Sequence, residues 1–139
     1  MSVQVTPFTM ADYEEVVAFW RTQEGIGLNE SDAPDPMACY LRRNPGLSLV
    51  ARDRGAVVGA VLCGHDGRRG YLHHLAIAPS HRRKGLGRQL VEQCLERLRE
   101  AGIPKCNIFL FDDNSAGEVF WRTLGFNRRE WRVLQRQTT

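Results

Sequence analysis

The stretch Leu75-Ala76-Ile77-Ala78-Pro79-Ser80-His81-Arg82-Arg83-Lys84-Gly85-Leu86-Gly87-Arg88 joins an apolar strand to a basic, glycine-containing turn that opens a helix. Those residue types at that spacing suit a diphosphate. Gly85 and Gly87 carry no Cβ to hold an anion off the backbone, and a helix starting there presents unpaired N–H groups and its positive dipole end. Arg82, Arg83, Lys84 and Arg88 bring side-chain charge to the same place. A second chemistry stands just upstream, where strand alternation puts Tyr71, His73 and Leu75 on one face and sends Leu72 and His74 to the other. An imidazole at that point can accept a proton near neutral pH.

The spacing excludes two commoner phosphate loops. Gly-x-Gly-x-x-Gly is not completed, because Leu90 stands where the third glycine would fall, and no Gly-Lys-Ser/Thr occurs. The plain alternative is a helix start with turn glycines and a solvated charge run. Cys63, His65 and His73 lack a fixed ligand spacing, so no metal site is expected.

The elements that must position these groups are legible in outline. Val3 to Pro7 is a strand, and Thr9-Met10-Ala11-Asp12 a capping box for a helix whose apolar face is Tyr13, Val16, Val17 and Trp20. After a loop of breakers and acids at 24–36, a second helix is expected over Met37–Arg43, stopped by Asn44-Pro45-Gly46. Leu47–Arg52, Ala56–Gly64 and Tyr71–Ile77 form three antiparallel strands through turns at Asp53-Arg54-Gly55 and Asp66-Gly67. A helix from Gly87 to Ala101 turns Leu86, Leu90, Val91, Cys94, Leu95 and Leu98 inward. The apolar run Cys106–Phe111 reads as a strand buried on both faces and parallel to Tyr71–Ile77. Ser115-Ala116-Gly117-Glu118 caps a last helix with Val119, Phe120 and Leu124 inward, and a final strand is expected around Trp131–Leu134.

At 139 residues the chain fits one α/β domain, 1–139. A formal charge of +3 is too mild to call for nucleic acid, and the local arginines, including Arg128, Arg129, Arg132 and Arg136, suit a small polyanion. Cys39, Cys63, Cys94 and Cys106 show no Cys-x-x-Cys spacing and read as reduced core residues. With no signal-like start and no long apolar run, the expectation is a cytoplasmic protein without a membrane partner.

Arg82-x-x-Gly85-x-Gly87 after a strand ending in Pro79 resembles the acyl-CoA signature of the GNAT superfamily of N-acetyltransferases. Roughly thirty residues on, Asn114-Ser115-Ala116 followed by Phe120-Trp121-Arg122-Thr123-Leu124-Gly125-Phe126 is similar to that family's second signature helix. The element order agrees over essentially the whole chain. The resemblance implies a mixed, mostly antiparallel sheet of six to seven strands flanked by about four helices, with a splayed parallel strand pair. It also implies that the pantetheine arm of acetyl-CoA enters the splay and pairs with backbone near Leu75, Ala76 and Ile77. Arg82 to Arg88, with Leu86 among them, would hold the diphosphate, and Asn114, Phe120 and Trp121 would line the cofactor arm.

The reaction so implied is acetyl transfer from acetyl-CoA to a primary amine of a small molecule or peptide, by direct attack in a ternary complex. The amine must lose a proton, the oxyanion must meet a donor, and the thiolate must leave. His73, with Tyr71, is the candidate for deprotonation, although a central-strand histidine is as readily a hydrogen-bonded core residue. His74 reads as structural. The N–H near Leu75 is the implied oxyanion donor. Trp121 stands where many relatives carry a tyrosine acid, and an indole N–H cannot protonate a thiolate. Tyr71 or Tyr40 then substitutes, or water does, or the chain is a non-catalytic acyl-CoA sensor. Transfer without a dedicated acid is the expectation, because a thiol pKa of about 8.5 makes the thiolate a fair leaving group. The acceptor stays unspecified: Glu24, Glu30, Asp32 and Asp35 border its side, and the last strand with Trp131 suggests a homodimer edge.

Overall fold

The computed structural model describes residues 3–139, in two units that divide after Phe109. The first carries five strands and three α-helices in the order β1 (Val3–Pro7), α1 (Tyr13–Arg21), α2 (Pro34–Arg43), β2 (Leu49–Asp53), β3 (Ala56–His65), β4 (Gly70–Ile77), α3 (Leu86–Glu100) and β5 (Cys106–Ile108). The second holds α4 (Ser115–Thr123).

The strands lie in chain order, antiparallel from β1 through β4 and parallel between β4 and β5. The β2–β3 turn needs left-handed backbone at Arg54 and Gly55, φ 52° and 84°, which is the twist a two-residue hairpin demands. Two adjacent residues of β3 show how the helices share the sheet. Leu62 joins the cluster of Phe8, Tyr13, Val16, Val17, Trp20 and Met37 from the α1 and α2 side, whereas the Cys63 thiol lies beside the free thiol of Cys94 in α3. Neighbours in a strand point to opposite faces, so α1 and α3 cover opposite sides.

Helix α1 follows its pattern: Tyr13, Val16, Val17 and Trp20 are buried, and Asp12 Oδ2 accepts the Thr9 N–H at 3.0 Å. Helix α2 starts at Pro34 rather than Met37, because a proline in the first turn has no N–H to lose there and its φ suits a helix. Helix α3 begins one residue before Gly87, with Leu95 only half-buried. Of the cysteines, Cys63 and Cys94 are buried, Cys106 is half-buried and Cys39 is exposed, so the core reading fails for Cys39.

The expected six to seven strands are five among the described residues. Strand β5 ends at Ile108, and Phe109 and Phe111 are 59% and 62% exposed, so the apolar run does not mark a strand covered on both faces. No strand forms around Trp131–Leu134, where Trp131, Val133 and Leu134 are exposed. β-propensity becomes a strand only where a ladder partner is present. In α4 the cap is Asn114, whose Oδ1 accepts from Gly117 N–H at 2.8 Å, one residue ahead of the expected Ser115 box. Phe120 and Leu124 are half-buried as the inward face requires, but Val119 is exposed. No described helix is long and apolar enough to cross a membrane.

Candidate active site

Strand β4 is paired with β5 only at Gly70, Tyr71 and Leu72, yet runs on to Ile77. Beyond Leu72 that edge has no strand beside it, which leaves backbone donors and acceptors for an extended ligand. On the β3 side the register breaks: Leu62 pairs with His73 and Ala60 with Ala76. Ala60 and Leu62 are two apart and share a face, so His73 and Ala76, three apart, share it too. An extra residue, His74 or Leu75, is taken up as a bulge opposite Val61, and His74 adopts φ 56° to make it.

The bulge corrects the simple alternation. His74 does not turn to the α3 side. Its ring packs edge-on against Trp20 of α1 at 5.1 Å, and its Nε2 lies 3.0 and 3.1 Å from the two carboxylate oxygens of Asp32. Asp32 is buried; it also takes the Asn29 N–H at 3.1 Å, and its carbonyl accepts from the Tyr13 hydroxyl at 2.6 Å. Tyr71 and His73 do share a face, stacked at 6.3 Å and both against Phe109. Burial, and then the neighbouring His74, push the His73 imidazole below its ordinary pKa against the pull of Asp32.

The basic turn runs from the end of β4 to the start of α3. Ala78 N–H bonds to Val58 O, a short 3-10 turn covers Pro79–His81, and Gly85 at φ 83° is the N-cap of α3. Gly85 offers no capping side chain, and a Cβ added there would meet no atom within 4 Å. The first intrahelical bond is Gln89 N–H to Gly85 O, so the N–H groups of Leu86, Gly87 and Arg88 precede the ladder. Leu86 itself is buried and anchors the helix start.

The charged residues divide by task. Arg82 is turned back, donating from Nε to Ile77 O at 2.9 Å and from Nη2 to Gln23 Oε1 at 3.2 Å, and so ties the turn to the end of β4 and to the segment just after α1. Arg83 and Lys84 are exposed, and Arg83 sits at φ 61°. Arg88 lies 3.8 Å from Glu92. Residue chemistry alone missed a tie in this turn: His81 bonds through Nε2 to Asp53 at 2.7 Å and through Nδ1 to Ser80 Oγ at 2.7 Å.

Of the alternative acids, Tyr40 is half-buried, with a buried, unpartnered hydroxyl whose pKa burial drives far upward, so it holds its proton tightly. In the second unit, Trp121 packs edge-on against Phe120 at 5.2 Å and Phe126 at 5.1 Å, and Asn114 serves as the α4 cap. No group of three or more metal-ligating side chains gathers among the described residues.

A bulged strand with one free edge leads through a basic turn into a helix start without a side-chain cap. Residues 13–126 match the model of the acetyltransferase (GNAT) family, and the chain belongs to that family. An acetyltransferase of Yersinia enterocolitica is 30% identical over 132 residues, 95% of this chain and 93% of that protein. The structure of PaiA N-acetyltransferase from Thermoplasma acidophilum in complex with coenzyme A superposes with a TM-score of 0.80 at 19% identity, covering 95% of this chain and 94% of that one. AAC(6')-Iy in complex with the bisubstrate analogue CoA-S-monomethyl-acetylneamine gives 0.77 at 17% identity, with both chains covered in full. The protein is an acyltransferase.

Proposed function

We propose that this acetyltransferase moves the acetyl group of acetyl-CoA to a primary amine of a small molecule or peptide by direct attack in a ternary complex. The observation that carries the reading is the α3 N-terminus. Three leading N–H groups, a glycine cap without a side chain and the exposed Arg83 and Lys84 make a diphosphate cradle at the end of a strand whose edge is open. The pantetheine arm would lie along His73–Ile77, with the N–H near Leu75 at the bulge available to a developing oxyanion. Coenzyme A in one structural neighbour and a CoA-linked substrate analogue in another support the same co-substrate.

In the second unit, Asn114, Phe120 and Trp121 are the cofactor-arm candidates that the family resemblance gives. The indole of Trp121 supplies no proton to the thiolate, which leaves unaided or with water's help. Acetyl-CoA should raise the melting temperature, and thiol release with a panel of polyamines, amino acids, aminoglycosides and N-terminal peptides should identify the amine. No thermal shift at millimolar acetyl-CoA would remove the reading.

A further inference from the structure

Resting on amine acetylation as the reaction, we propose that His74, oriented by Asp32, is the residue that takes the proton from the acceptor ammonium. Three features of the molecule converge on it. The β4 bulge swings His74 onto the α1 side in left-handed backbone that a non-glycine residue adopts only when its surroundings hold it there. Both short contacts to the Asp32 carboxylate use Nε2, so the N–H lies on Nε2 and the lone pair on Nδ1. The side chain keeps 18% exposure while that of Asp32 keeps 8%, so the ring reaches the surface and the carboxylate lies deeper.

That is the division of labour in any base–orienter pair: the imidazole accepts, and the buried carboxylate fixes the tautomer and stabilises the imidazolium. His73 is worse suited. It faces the aromatic rings of Tyr71 and Phe109, and it has no carboxylate hydrogen-bonded to it among the described residues. The charged and titratable groups facing His74 are Asp32 from the Glu30–Asp32 turn and His73 beside it on β4, with the Tyr13 hydroxyl of α1 bonded to the Asp32 carbonyl.

The step balances simply. The ammonium gives one N–H proton to Nδ1, and the freed nitrogen pair forms a bond to the thioester carbonyl carbon. The carbon–sulfur bond breaks with its electron pair on sulfur, and the thiolate receives the second proton from the attacking nitrogen. The first proton leaves His74 to water. Asp32 is a positioning residue throughout.

Two readouts test this. In protein labelled with 15N at histidine, His74 should show the Nε2–H tautomer at neutral pH, and Asp32→Asn should disturb it. In acetyl transfer, n-butylamine arrives protonated at pH 7.5 and needs a base, whereas hydroxylamine arrives neutral. His74→Gln, which keeps a donor for Asp32, should lower kcat/KM for n-butylamine about 100-fold or more and that for hydroxylamine less than tenfold. Asp32→Asn should lower the n-butylamine value alone by roughly tenfold, with its acetyl-CoA thermal shift intact. An Nδ1–H tautomer in the wild-type protein, or equal losses with the two nucleophiles, would overturn the proposal. If the wild-type protein turns over neither amine, the tautomer decides. Loss of the acetyl-CoA shift in the wild-type protein would instead strike the proposed function and leave the His74–Asp32 pair standing.

Discussion

His81 and Asp53 are joined at 2.7 Å, which ties the turn ahead of α3 to the β2–β3 hairpin. Ser80 Oγ holds the other ring nitrogen at the same distance, so the imidazole is fixed at both ends. The turn proposed as the diphosphate cradle is thus braced by His81. His81→Ala should weaken acetyl-CoA binding by about 1 kcal/mol, roughly fivefold in Kd, through a looser turn, while kcat with a saturating amine changes little. Calorimetric titration of acetyl-CoA against both proteins checks it.

Gly85 separates backbone need from space. At φ 83° an alanine costs about 1 kcal/mol, although its Cβ would meet nothing in the protein. Gly85→Ala should therefore fold with a slightly lower melting temperature. Its acetyl-CoA affinity should fall by more than that strain accounts for, because the new methyl group occupies the phosphate's place. Parallel thermal melts with and without acetyl-CoA resolve the two effects.

Gly70 is required for the opposite reason. An added Cβ would stand 2.6 Å from a Leu98 methyl group, so β4 and α3 are in contact through a glycine. Gly70→Ala should cost about 1–3 kcal/mol in urea unfolding, and Leu98→Val in the same chain should recover part of the loss.

His73 sets a pH dependence with a definite sign. Burial holds its pKa below the ordinary histidine value of about 6.5, so below that pH the unfolded chain binds more protons than the folded one. Stability is full above about pH 6.5 and declines as pH falls toward the depressed folded pKa. His73→Phe should lose less stability than the parent between pH 7.5 and 5.5, as read from urea midpoints. An unchanged difference would mean that His73 is not held neutral by burial.

Much of this arrangement is legible in the sequence, because it rests on local chemistry. The Thr9–Asp12 cap, the α1 face, the hairpin turns and the glycine-opened α3 each follow from residues close in sequence. What escaped depends on distant partners. Period-two alternation put His74 on the wrong side, since no composition signal marks a bulge that inserts one residue into a strand. In the sequence Asp32 is one of four loop acids that border the acceptor's side. Its spacing from Asn29 was the available hint, for the two form a small capping box that holds the carboxylate under His74. The final strand around Trp131–Leu134 and the far half of the run Cys106–Phe111 rest on apolar composition, which says nothing about whether a ladder partner exists.

The most direct measurement is the release of CoA thiol from acetyl-CoA, followed with and without primary amines across the acceptor panel. Saturable release that appears only with an amine, accompanied by an acetylated product of matching amount, is the predicted result. Stoichiometric acetyl-CoA binding with no amine-dependent release from any member of the panel would contradict it and make the cradle that of a sensor.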